Sequence, residues 1–166
     1  MYTIHHKRDE RFLRKRGENF DFTAFSRKDI QELIRRMKKS MQRAKGVGLA
    51  ANQIGLPYRV FVAEVPQKDG GNKFYSIFNP TIEKRSEEKV PMEEGCLSVP
   101  GIFGMVERAA RVTLQGYDKN QKPIKIKAWG LLARVFQHEV DHLDGILFID
   151  RTTHLHETTE AERLTH

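Results

Sequence analysis

The chain has 166 residues, enough for one domain over 1–166 that buries about two thirds of the surface its unfolded form exposes. With 39% hydrophobic and 31% charged residues, no apolar run approaches the roughly 18 residues of a membrane span. The opening MYTIHHKRDER lacks the apolar core of a signal peptide, so a cytoplasmic location is expected, and a single cysteine excludes an intramolecular disulfide.

The net charge of +7 is compatible with an anionic partner such as RNA or a ribosome surface. The basic residues are spread widely, however, and no nucleic-acid-binding motif accompanies them. A solvated surface is the favoured reading, with no specific nucleic-acid sequence recognised.

The first amphipathic pattern covers 26–46, SRKDIQELIRRMKKSMQRAKG, where Ile30, Leu33, Ile34, Met37 and Met41 share one face. Ser26 can cap this helix, Asp29 can complete a weaker capping box, and Gly46 stops it. The next stretch, GVGLAANQIGLP at 46–57, is too rich in glycine for a secure helix and reads as a tight loop or a close backbone approach. Strand-like runs follow at 59–65, 73–78, 81–85, 106–114 and 123–129, with turn signals at DGGN, NP and DKNQ, and predict antiparallel sheet. The last regular element, GLLARVFQHEVDHLDG at 130–145, predicts a helix ended by Gly145. The tail 151–166 is polar, and its helical content is left open.

That last helix carries the densest chemical signal, His138-Glu139-Val140-Asp141-His142. Histidines at i and i+4 differ by only about 40° around a helix and can clasp one ion. On the helical wheel Leu131, Val135, His138 and His142 form one stripe, with Leu132, Phe136, Glu139 and Leu143 beside it, so both histidines and Glu139 face the core. Arg134, Gln137, Asp141 and Asp144 fall on the opposite side, expected to be solvated. Two core histidines bonded to backbone are the bland alternative. A buried glutamate beside them weighs against it, because unpaired buried charge is costly.

Two imidazoles fall short of the three protein ligands usual in a catalytic site with one open position. His154 and His156 lie downstream in the polar tail; the upstream candidate is Cys96 within EEGCLSVPG. Taken alone, Cys96 is a buried inert thiol, a reactive one or a metal ligand, and Gln53 is a loop-fixing amide or a catalytic one.

Three segments, GVGLAANQ at 46–53, EGCLS at 94–98 and QHEVDHLDG at 137–145, resemble in order and spacing the signature motifs of peptide deformylases. The resemblance extends from about residue 8 to 150. It implies an α+β fold: antiparallel sheets around a central metal-binding helix, with an N-terminal amphipathic helix. It further implies that Cys96, His138 and His142 bind the metal, that Glu139 is the general acid/base, and that Gln53 and the backbone N–H of Leu97 form the oxyanion site. The metal implied is Fe2+, with Zn2+, Ni2+ or Co2+ able to occupy the same site. The substrates implied are N-formylmethionyl nascent peptides, with ribosome proximity, and the reaction is removal of the formyl group.

Gly48 is the expected direct contact with the substrate backbone, and Val47, Leu131 and Val135 are candidates for the methionine pocket. Asp141 is assigned either to support of the metal site or to the surface, and Arg134 either to a pair with Glu94 or to water. One departure from the family pattern is Ile102 and Phe103, where some members carry polar or basic residues, which bears on preference for the peptide side. The rival readings are a zinc-type metallopeptidase, since H-E-x-x-H serves both chemistries, and a basic ribosome- or RNA-binding module with a structural metal.

Overall fold

The computed structural model describes residues 1–67 and 70–157. Its helices are α1 (Lys7–Leu13), α2 (Arg27–Arg43) and α3 (Gly130–Leu143). Its strands are β1 (Gly48–Ala50), β2 (Val60–Pro66), β3 (Asn72–Arg85), β4 (Lys89–Cys96), β5 (Val99–Ala109), β6 (Arg111–Tyr117), β7 (Pro123–Trp129) and β8 (Leu155–Glu157). They form two antiparallel sheets, ordered β1-β2-β3-β6-β7 and β4-β5-β8. The expected α+β class holds.

α2 forms as its sequence predicts. The Ser26 hydroxyl accepts from the Asp29 N–H and the Asp29 carboxylate accepts from the Ser26 N–H, so two end groups satisfy each other. Its buried Ile30, Met37 and Met41 pack on Leu49, Val60, Val62 and Phe78. α1 is an addition to the expected elements.

Several strand boundaries differ from the sequence reading. The turn expected at NP is absent: β3 runs through it, absorbing Asn79 at φ +48 as an irregularity in its pairing with β6. The run 106–114 divides at Ala110, where the chain passes from the second sheet to the first. β4 was not anticipated because KVPMEEGC is charged and contains Pro91, which a strand tolerates at a sheet edge, where β4 lies. The expected DGGN turn includes position 69, outside the described residues, as is the tail beyond 157.

α3 packs against both sheets. Phe136 meets Phe61 and Tyr75 on the first, with centroids 5.6 and 5.5 Å apart, while Arg134 reaches the Val90 and Val106 carbonyls on the second. The helix ends as expected: Gly145 at φ +76 lets its N–H reach the His142 carbonyl and the Ile146 N–H reach that of Asp141.

This placement corrects the expected solvated face. Arg134, Gln137 and Asp141 are buried, and only Asp144 is exposed. A helix enclosed by two sheets has no broad wet side, so its polar residues are matched by partners instead of water. Arg108 donates to both Glu94 and Asp141, Arg151 also pairs with Asp141, and Arg134 pairs with Glu94.

Candidate metal centre

β4 ends at Cys96, and the tight turn into β5 holds the sulfur toward α3. Cys96, His138 and His142 each offer one ligand atom, all within 4.8 Å of one another. The closest approach is Cys96 Sγ to His142 Nε2, 3.1 Å. Burial acts against ionisation of the Cys96 thiol, but the His142 and His138 imidazoles outweigh it and hold its pKa well below the ordinary value. The Ser98 N–H, 3.4 Å from the sulfur, adds to that stabilisation.

The His138 ring is oriented from behind. Its Nδ1 lies 3.0 Å from Glu94 Oε2, and Glu94 is gripped by Arg108 at 2.6 and 2.9 Å and by Arg134 at 2.6 Å. Burial raises the Glu94 pKa, yet these donors and charges hold the carboxyl well below the usual range. A soft thiolate with two imidazoles, one backed by a carboxylate, is a donor set that fits a first-row divalent ion. His142 Nε2 faces the sulfur, while its Nδ1 is buried without a protein partner among the described residues.

Glu139 sits beside it, buried. Burial pushes its carboxyl up to about 7 against the opposing pull of His138 and His142, and its Oε2 has no hydrogen-bond partner among the described residues. A carboxyl of that affinity can take and return a proton near neutrality. Gly48 makes room for it: a Cβ there would stand 2.8 Å from Glu139 Cδ. The need for glycine at 48 therefore has a local cause besides the expected substrate contact.

A short 3-10 turn, Ala51–Ile54, places Gln53 with its Oε1 accepting from the Ala50 N–H at 2.9 Å. Its Nε2 is 3.2 Å from Ser98 Oγ and 3.6 Å from Cys96 Sγ. The amide thus fixes the loop with one end and turns a donor toward the sulfur with the other.

A cavity of about 890 Å³ opens over this group. Gln53, Cys96, Leu97, His138 and Glu139 line it, and so do Val47, Gly48, Leu131 and Val135. Val47 and Leu131 are exposed at its mouth, whereas Val135 is buried. β1 is the outer strand of its sheet, with no further strand beside it among the described residues, and its Gly48 end borders the cavity. His154 and His156 are exposed and stand outside the three-ligand cluster.

The sequence reading missed Arg108, Arg151 and Ser98. Arg108 had a signal: it alternates with Glu107 on the same inward face as Val106, and an inward arginine calls for a buried acid. Ser98, fully buried and bonded by Gln53, stood inside the EGCLS segment without a role assigned to it.

The polypeptide deformylase family model matches residues 1–158. The chain is 44% identical over 131 residues to a peptide deformylase of Desulforudis audaxviator, covering 79% of this chain and 82% of that one. It is 46% identical to a peptide deformylase of Halothermothrix orenii, covering 78% and 82% respectively. Among solved structures, a probable peptide deformylase from Synechococcus phage S-SSM7 superposes with a TM-score of 0.82 at 40% identity, covering 92% of this chain and 98% of that one. The peptide deformylase of Thermotoga maritima gives 0.80 at 35% identity, covering 92% and 96%. With one ordered set of motifs, one fold and one ligand cluster in agreement, the chain belongs to the polypeptide deformylase family, metal-dependent enzymes that remove the N-formyl group from newly made proteins.

Proposed function

We propose that the chain acts as a single catalytic domain in which Cys96, His138 and His142 hold one divalent ion, Fe2+ in the cell, and Glu139 moves the protons. The observation that carries this reading is the cluster of Cys96, His138 and His142 ligand atoms within 4.8 Å of one another, with the buried carboxyl of Glu139 beside it. When bound in such a three-ligand site, a divalent ion makes a water nucleophilic near neutral pH and polarises the carbonyl that it attacks. The donor set also accepts Zn2+, Ni2+ or Co2+, so availability decides among them.

Glu139 accepts the proton of the attacking water and delivers it to the methionine nitrogen as the C–N bond breaks, releasing formate and a free amine. Charge growing on the formyl oxygen is met by Gln53 Nε2 and the Leu97 N–H, and each such donor contributes about 10²- to 10³-fold in rate. The substrate backbone pairs along the open edge of β1 at Gly48, an added strand. The methionine side chain occupies the apolar space between Val47, Leu131 and Val135. This arrangement serves formylmethionyl chains in the cytoplasm close to the ribosome, a setting with which the net charge of +7 is compatible. Among the described residues no helix is long and apolar enough to cross a membrane.

The test is formate release from formyl-Met-Ala-Ser by Fe2+-loaded, anaerobically prepared protein, compared with Glu139→Gln. Formate from wild type and its near abolition in the variant are expected. Cleavage of internal bonds in unformylated peptides would instead assign a metallopeptidase.

A further inference from the structure

The segment ahead of α1 lines no part of the cavity, yet it is bonded to two of the residues behind the cavity wall. The Tyr2 N–H donates to the Gln53 carbonyl at 2.7 Å, and the Ile4 N–H donates to the Ser98 carbonyl at 3.0 Å. Gln53 and Ser98 stand 45 positions apart in the chain, and their side chains meet, Gln53 Nε2 to Ser98 Oγ at 3.2 Å. The Ser98 N–H in turn points at the Cys96 sulfur. Residues 2–4 therefore bridge, through the backbone, the same two segments that the Gln53 amide bridges through its side chain.

Tyr2 grips the Ala51–Ile54 turn at a second point. The tip of its ring lies against the backbone of Gly55, where the turn ends: a Cβ there would be 2.6 Å from Tyr2 Oη and 2.7 Å from Cζ. The same ring meets Phe12 of α1 edge to face, with centroids 5.5 Å apart and planes at 78°. Two residues on, Ile4 packs into the apolar cluster of Val99, Leu147 and Phe148, against which Cys96 also packs. The bridge is thus anchored at both ends, by an aromatic pair at one and by apolar packing at the other.

The bonds of the Gln53 amide to the Ala50 N–H and to Ser98 Oγ set how the amide is turned. Where it starts from is a matter of the backbone, and there Tyr2 acts. A donor aimed at developing charge is held by its supporting residues, and a misplacement of about 1 Å costs on the order of 10²-fold in rate. We infer that Tyr2 is a positioning residue for the oxyanion donor. Through its N–H on the Gln53 carbonyl and its ring on Gly55, it holds the turn from which the Gln53 amide projects. The inference rests on the donor role proposed for Gln53.

The experiment measures kcat and KM for formyl-Met-Ala-Ser, per bound metal ion, in metal-loaded wild type, Tyr2→Phe, Tyr2→Leu, Tyr2→Asn, Gln53→Ala and the double variant Tyr2→Asn with Gln53→Ala. Gln53→Ala is expected to lower kcat by about 10²-fold or more. Tyr2→Asn, which removes the ring, should lower kcat and kcat/KM alike by about tenfold with KM unchanged, as for a contact made only in the transition state. Tyr2→Phe keeps the ring and most of the wild-type kcat, and Tyr2→Leu falls between. In the double variant the tyrosine effect vanishes, leaving kcat within about twofold of Gln53→Ala alone, because two changes acting through one group do not add. The same loss in both backgrounds would mean a general structural role and overturn the inference. So would a kcat per bound ion that Tyr2→Asn leaves unchanged, with activity following metal content alone. If Tyr2→Asn does not fold, Tyr2→Leu carries the same cycle. Wild-type kcat in Gln53→Ala would overturn the donor role and the inference with it, whereas no formate from wild type would overturn the deformylase reading itself.

Discussion

His138 Nδ1 and Glu94 Oε2 lie 3.0 Å apart, and that contact fixes which imidazole nitrogen is left for a metal. An imidazole that donates from Nδ1 to a carboxylate keeps Nε2 bare and more basic. Glu94→Gln is expected to weaken metal binding by about 10- to 100-fold. Competition with a chromophoric chelator measures it, and an affinity within about twofold of wild type would remove the orienting role from Glu94.

Gly48 and Glu139 cannot both keep their places if residue 48 gains a side chain, since its Cβ would stand 2.8 Å from the Glu139 Cδ. Gly48→Ala should displace the carboxylate and lower kcat by about 10²-fold or more, the usual contribution of a positioned acid/base. Metal content and the visible spectrum of the Co2+ form should be retained. A changed spectrum would show that the ligand set, not the base, had moved.

The raised pKa of Glu139 makes a signed prediction for metal-free protein. Burial lifts the folded value to about 7 from 4.5, so between those pH values the folded chain holds a proton that the unfolded chain has lost. Its stabilising effect is complete below pH 4.5 and is lost as pH rises through 7. Relative to Glu139→Gln, metal-free wild type should lose on the order of 3 kcal/mol across that window. Urea unfolding of both proteins from pH 4.5 to 8 measures the difference. A flat difference would mean that the folded carboxyl is not raised.

Arg108 and Arg35 separate buried from exposed charge. Both partners of the Arg108–Glu94 pair have side chains 5% exposed, whereas those of Arg35–Glu32 are 66% and 48% exposed. Arg108→Met should destabilise by about 3–5 kcal/mol, because it leaves the buried carboxylates of Glu94 and Asp141 undercompensated. Arg35→Met should leave the stability close to that of wild type, because the exposed pair is screened by water. Equal losses in urea unfolding would refute the distinction.

These contrasts also separate what a sequence can express from what it cannot. α2 and the end of α3 were legible because caps, periodicity and a terminal glycine act within a few residues. The HEVDH pair was legible for the same reason. The helical wheel put Asp141 and Arg134 on a wet side, although a pair of Arg134 with Glu94 was one of the two readings left open, and their partners come from outside α3: Glu94 and Arg108 from strands β4 and β5, Arg151 from the turn after the helix. β4 was hidden by its charges and Pro91: an edge strand takes its stability from its neighbour and not from its own propensities. Cys96, the single thiol, was the upstream candidate for a third ligand, but only the motif resemblance favoured it, since nothing in its own segment says which helix it meets.

The sulfur and imidazole that approach to 3.1 Å come from residues 46 positions apart, one at the end of a hairpin strand and one in the last helix. An extended chain therefore offers only the local histidine pair, an incomplete and weak host. Ion uptake must follow long-range assembly instead of nucleating it. On the proposed ligand set, an enzyme of chains still being made is thus subject to the same timetable: until α3 has been synthesised and docked against β4, its metal site is not assembled.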